Sequence, residues 1–216
     1  MKKIVIIGAR SDGHAKVVLH ILLAMKTYEI VGFIDDDPTK TNQQISGYKI
    51  LGTMNQLQNL IAKHTIEYGI VAIGDNLQRM NLASVVQSFG LELANAIHPS
   101  VLMDSDVKIG NGNYFGQNVV IVTGTEVGDC VNIHTGTTID HDNCLANGVN
   151  IGPGSHTAGR VTIGKNSTLG TGSIVIPDIK IGENVLVAAG SVVINDIASS
   201  KFVAGVPALE KKRKIN

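Results

Sequence analysis

The sequence has no tryptophan, four tyrosines, four phenylalanines, five prolines and two cysteines, and its 18 acidic and 18 basic side chains leave no net charge. Each scarcity excludes something. Cys130 and Cys144 are too few to staple a secreted mini-protein, and neither belongs to a CxxC pair, so a reduced, cytoplasmic protein is expected. Charged residues at 17% with no excess of either sign lack the basic footprint of a nucleic-acid or membrane-surface binder. No run approaches the ~18 apolar residues of a spanning helix, so no membrane insertion is expected. The opening Lys2–Lys3 and the apolar run after it are cut off by Arg10 and Asp12 before a secretory segment can form. What is plentiful is glycine: 24 in 216 residues, above the usual ~7%. With 44% hydrophobic residues and few aromatics, this describes many tight turns around a core of small side chains.

The first hundred residues alternate β-branched runs with helical spacing. Strands are expected at Lys3–Gly8 and Glu29–Ile34 around a helix at His14–Met25, whose Val17, Val18, Ile21 and Leu22 share one face. Helices at Met54–Lys63 and Leu77–Phe89 and strands at Tyr68–Ile73 and Leu91–Ile97 follow. Such alternation implies a small parallel sheet, a Rossmann-like α/β domain over 1–98.

Beyond residue 99 the helical spacing stops and a period of six begins. Every sixth residue from Ile109 to Val193 is apolar except Thr157, and the residue after it is usually Gly or Ala. This fits a parallel β-helix over 99–200, with the apolar residue inward and the small one expected to turn the corner. A C-terminal loop and basic tail occupy 201–216.

Several motifs on this frame have chemical content. The Gly8–His14 loop follows a strand and opens a helix, so it is either a tight turn or a place where backbone N–H groups meet a phosphate. Asp35 and Asp36 end the second strand, where a carboxylate either sits in a solvated turn or accepts from a ribose hydroxyl. His134, His141 and His156 fall at different phases of the repeat, one, two and five residues past the inward position, so no zinc column is expected and no metal is assigned. His141 is followed by Asp142, which could orient its ring. Gly159, eighteen residues on, lies one coil along the same edge, ~4.8 Å away. The run Glu210–Lys214 is either a solvated terminus or a patch for coenzyme phosphates.

Taken together, Gly13–Val18, Gly32–Asp37, Ala72–Asn76 with Arg79, Ile97–Ser100, Thr137–Asp142, Gly159 and Phe202–Ala208 resemble one family over nearly the whole chain. It is the sialic acid O-acetyltransferase and nucleotide-linked 4-amino-sugar N-acetyltransferase group of the hexapeptide-repeat acyltransferases. The chain departs from the family's opening by two extra residues between Gly8 and Gly13. The resemblance implies a left-handed β-helix, a homotrimer with the acyl-coenzyme site between neighbouring prisms, and acetyl-CoA as cosubstrate. It implies acetyl transfer to a nucleotide-linked 4-amino-4,6-dideoxy sugar for surface polysaccharide or glycan. Sialic acid O-acetylation and a catalytically silent scaffold are the alternatives. Gly13, His14, Asp35, Asp36, Asp75, Asn76 and Arg79 are then the sugar-nucleotide residues, and Gly159, Gly205, Val206 and Pro207 the coenzyme residues. His141 is the general base and Gly159 N–H the oxyanion donor. Asp142 is one carbon shorter than the family's Glu, so an indirect contact with the ring is expected. An imidazole suits the role because its ordinary pKa of ~6.5 leaves it neutral and still basic near pH 7.

Overall fold

A computed structural model describes residues 1–9 and 13–212. It divides into two compact units, 1–99 and 100–216.

The first unit is a six-stranded sheet in the order β3-β4-β2-β1-β5-β6. Its strands are β1 (Lys2–Ile7), β2 (Tyr28–Ile34), β3 (Gln44–Ile45), β4 (Tyr48–Gly52), β5 (Tyr68–Val71) and β6 (Glu92–Leu93), and its helices α1 (His14–Met25), α2 (Leu57–His64) and α3 (Asn76–Ser88). Ile4, Val5 and Ile6 of β1 are fully buried, the continuous apolar run of a strand covered on both faces. Pairing is parallel throughout except for the β3–β4 hairpin, an addition that the sequence did not suggest because β4 is short, glycine-ended and half exposed. The expected helix at 54–63 begins one turn later, since Thr53 and Gln56 form a capping box around a 3-10 turn at Met54–Gln56. The expected strand at 91–97 is two short pieces instead, 92–93 and 96–97. Ile7 is in register with both Ile34 and Val71, so the loops leaving β1, β2 and β5 emerge side by side at the carboxyl edge.

The second unit is a left-handed parallel β-helix with three sheets of two-residue strands. Pairing such as Tyr114 with Asn132 and Asn132 with Asn150 repeats every eighteen residues, one coil. Ile133, Ile139, Ile151, Ile163 and their equivalents fill the interior, and Thr157 shares it at 3% exposure. The corners correct one expectation. The left-handed backbone falls three residues past each inward position, at all fourteen sixth residues from Gly112 to Gly190, and half of these are not glycine. The small residue directly after the inward one has another reason. A Cβ on Gly152 would stand 2.6 Å from the Thr171 amide, and one on Gly164 2.5 Å from the Gly182 carbonyl carbon, so the next coil leaves no room for it.

Candidate active site

In the first unit the three loops at the carboxyl edge enclose a cavity of about 520 Å³. Gly8, Gly13, His14, Asp35, Asp36 and Asp75 line it together with Lys40, Gln78 and apolar Ile7, Ile73 and Leu82. The two aspartates of β2 have different duties. Asp35 accepts from Ala9 N at 2.8 Å, Asp37 N at 3.0 Å and Lys40 Nζ at 2.9 Å. Burial alone would raise its pKa, but these hydrogen bonds and the Lys40 charge outweigh it and hold the carboxyl below its ordinary value. Asp36 is exposed and accepts only a long 3.4 Å bond from Met54 N among the described residues, which leaves its carboxylate available to a ligand. Asp75 lines the cavity and caps α3 by accepting from Gln78 N at 2.8 Å.

Asn76 and Arg79 are not among the lining residues. Arg79 is fully buried, and its guanidinium donates to the carbonyls of Ile73 and Gly74 at 3.2 Å and to Asn76 Oδ1 at 3.0 Å. It holds the wall of the cavity from behind. Residues 10–12 of the Gly8–Gly13 loop, which is two residues longer than in the family, lie outside the described residues. Sequence reasoning missed Lys40, whose only signal was its position five residues after Asp35.

In the second unit His141 follows the inward Ile139 by two residues, and Asp142 takes the left-handed corner with φ of 57°. Aspartate tolerates that conformation, and it turns the carboxylate back onto the ring. Asp142 Oδ2 lies 2.8 Å from His141 Nδ1, a direct contact where an indirect one was expected. A carboxylate only accepts, so Nδ1 carries the proton and Nε2 of the neutral ring carries the lone pair. Residue 159 is the position one coil on, through the pairing of Ile139 with Thr157. There the imidazole lies directly against Gly159, in the space that a Cβ would need. The Gly159 N–H has no acceptor among the described residues, as is also the case for the equivalent amides of Lys165, Thr171 and Ala189, whereas those of Asn111, Thr123 and Asp129 each meet a side-chain oxygen. The ring of His141 and the unengaged N–H of Gly159 thus belong to two residues that meet across adjacent coils.

The next corners continue the charge pattern. Arg160 donates to both oxygens of Asp178, at 2.6 and 2.9 Å, and these hydrogen bonds lower the Asp178 carboxyl below its ordinary range. Gly205 and Pro207 form a tight turn in which Gly205 N donates to Ser191 Oγ at 3.1 Å and Ala208 N to Val192 O at 2.7 Å, leaving Val206 exposed. Of the basic tail, Glu210 is paired with Lys201 at 2.8 Å, and residues 213–216 lie outside the described residues. Among the described residues no three His, Cys, Asp or Glu side chains gather as metal ligands, and no helix is long and apolar enough to cross a membrane.

Residues 3–86 match the family described as PglD N-terminal domain, and residues 160–195 match bacterial transferase hexapeptide, six repeats. The chain is 35% identical to perosamine N-acetyltransferase from Caulobacter crescentus, solved as a histidine-to-asparagine mutant with CoA and GDP-perosamine, with TM-score 0.92 over 99% of this chain and 98% of that one. It is 33% identical to the acetyltransferase domain of PglB from Neisseria gonorrhoeae, solved with acetyl coenzyme A, with TM-score 0.89 over 97% and 99%. The uncharacterized protein L142 of Acanthamoeba polyphaga mimivirus is 33% identical over 119 residues, 55% of this chain, which spans only 22% of that relative's length.

Proposed function

The chain belongs to the PglD-like family of hexapeptide-repeat acetyltransferases, and on that premise we propose that it moves the acetyl group of acetyl-CoA onto the amino group of a nucleotide-linked 4-amino-4,6-dideoxy sugar. The observation that carries this reading is His141, its Nδ1 held by Asp142 and its Nε2 set against Gly159. An amine is nucleophilic enough to attack a thioester directly, so no acyl-enzyme is needed. The amine nitrogen bonds to the acetyl carbon and the thioester oxygen becomes an oxyanion, which the Gly159 N–H stabilises. Donors in this role are worth roughly 3 kcal/mol in other acyl transfers. His141 Nε2 takes the proton that the nitrogen sheds. The carbon–sulfur bond then breaks, and the proton returns to the coenzyme thiolate as the amide forms.

The cavity of the first unit supports a nucleotide-sugar site. Asp36 offers a free carboxylate, and Gly13 and His14 stand at the start of α1, where backbone N–H groups and the helix dipole favour a phosphate. Asp75 adds an acceptor, and Arg79 with Asn76 holds the 73–76 turn in place. The Gly205–Val206–Pro207 turn is assigned to the coenzyme. A homotrimer is part of the proposal, supported by apolar side chains left at least 36% exposed along one sheet, Leu102 and Ile174 in its strands and Ile176 and Ile194 directly after them. The cytoplasm is the expected location, and surface polysaccharide or glycan precursors are the expected products.

The test is thiol release from acetyl-CoA with GDP- and UDP-linked 4-amino-4,6-dideoxy hexoses, with sialic acid, and with no acceptor. Turnover confined to the amino sugars is expected. Turnover with sialic acid alone would make it an O-acetyltransferase, and no turnover with any acceptor would leave a scaffold.

A further inference from the structure

In the β-helix the residue four past each inward position is also turned inside, and where it carries a hydroxyl that group ties two coils together. Thr125 Oγ1 donates to Asp140 O at 3.0 Å, Thr137 Oγ1 to Gly152 O at 3.2 Å, Ser155 Oγ to Gly170 O at 2.8 Å and Ser167 Oγ to Gly182 O at 2.7 Å, each fifteen residues on. The equivalent positions 119, 131, 149 and 161 hold valine, so the fold does not require a polar group there. Asparagine stands at two further equivalent positions: Asn113, fully buried, accepts from Val131 N at 2.7 Å, and Asn143, 1% exposed, lies at the corner that carries His141. The Asn143 Nδ2 makes the periodic bond, to Ala158 O at 2.9 Å, and also donates to Asp140 O at 2.7 Å and His141 O at 3.1 Å. Its Oδ1 has no partner among the described residues, a cost that an interior valine would avoid.

We infer that Asn143 is a positioning residue that fixes His141 and the Gly159 N–H relative to each other. The inference rests on the roles given to those two groups above. The carbonyl of Ala158 and the N–H of Gly159 belong to one planar peptide group and point in opposite directions. A donor that grips the carbonyl from inside the coil therefore aims the N–H outward, and by polarising the peptide it strengthens that N–H as a donor. The same amide grips the carbonyl of His141. One buried side chain thus spans both coils that supply reacting groups: its two amide protons reach Ala158 O on one coil and Asp140 O and His141 O on the other, one proton being shared, whereas a hydroxyl has a single proton and cannot hold both coils in this way.

Asn143→Val, Asn143→Ser and the controls Thr137→Val and Ser155→Val test this in the full-length protein. Asn143→Val is expected to lower kcat by about 10- to 100-fold, well short of removing the base itself. Both KM values should stay within about twofold of wild type. Asn143→Ser, which can keep the bond to Ala158 O, should recover part of that loss, and the two controls should keep wild-type kcat although each loses the same kind of bond elsewhere. Wild-type kcat in Asn143→Val, equal losses in the controls, or failure of both Asn143 variants to fold would each overturn the inference in favour of a purely structural asparagine. Those results with an inert His141→Ala count against the positioning role alone. An active His141→Ala would instead remove the reading on which it rests.

Discussion

The imidazole of His141 occupies the space that a side chain at position 159 would need: a Cβ on Gly159 would collide with Nε2 and Cε1. Gly159 lacks the left-handed backbone of the corners, so alanine is conformationally allowed there and only the ring has to move. A displaced ring costs little stability because it is the far end of a side chain, but it removes the base from the oxyanion donor. Gly159→Ala should lower kcat by about 10²-fold or more with a melting temperature close to wild type. Circular dichroism melts beside steady-state rates check this, and a variant that unfolds rather than stalls would contradict it.

Asp142 tests the tautomer. Asparagine suits a left-handed corner as well as aspartate does, so Asp142→Asn should fold normally. Its amide can donate to Nδ1, which would push the ring proton onto Nε2 and leave no lone pair toward the substrate. We expect kcat to fall by at least about tenfold, with Asp142→Glu retaining more activity than Asp142→Asn. Equal rates in the two variants would mean that ring orientation does not matter. His156→Ala, which loses only a 2.8 Å contact with Thr138 Oγ1, serves as the indifferent histidine.

Much of this was legible from residue spacing, and the gaps have physical causes. The period of six located every coil because each of the three sheets stacks an apolar inward residue on the one eighteen residues earlier, a register that cannot drift. The same period placed Gly159 one coil beyond His141. It did not say which residue turns the corner, because smallness is demanded twice: by the left-handed backbone at positions such as Gly112, and by the close next coil at positions such as Gly152. The β3–β4 hairpin was hidden because Tyr48–Gly52 carries too few apolar residues to announce a strand. Arg79 and Asn143 escaped a structural reading for one reason. Both act on backbone carbonyls, and nothing in a sequence marks which carbonyls need a partner.

Asp35 predicts an acid limb. Its carboxyl is held below the ordinary 3.8, so the folded protein binds this proton less readily than the unfolded chain does. The stabilisation is fully present above that ordinary value and is lost as pH falls through the lower folded value. Asp35→Asn should destabilise the protein at neutral pH and flatten the decline of stability below about pH 4. Urea melts from pH 3 to 7 would show it, and parallel curves for variant and wild type would contradict it. Lys40→Met should act in the same direction but more weakly, since two backbone N–H donors to Asp35 remain.

The most direct test of the whole account is His141→Ala, assayed for acetyl transfer to a nucleotide-linked 4-amino-4,6-dideoxy sugar and titrated by calorimetry with CoA and with the sugar nucleotide. The account predicts kcat lower by about 10² to 10⁴ with both ligands bound at near wild-type affinity. A variant that turns over at the wild-type rate, or one that loses activity only because a ligand no longer binds, would contradict it.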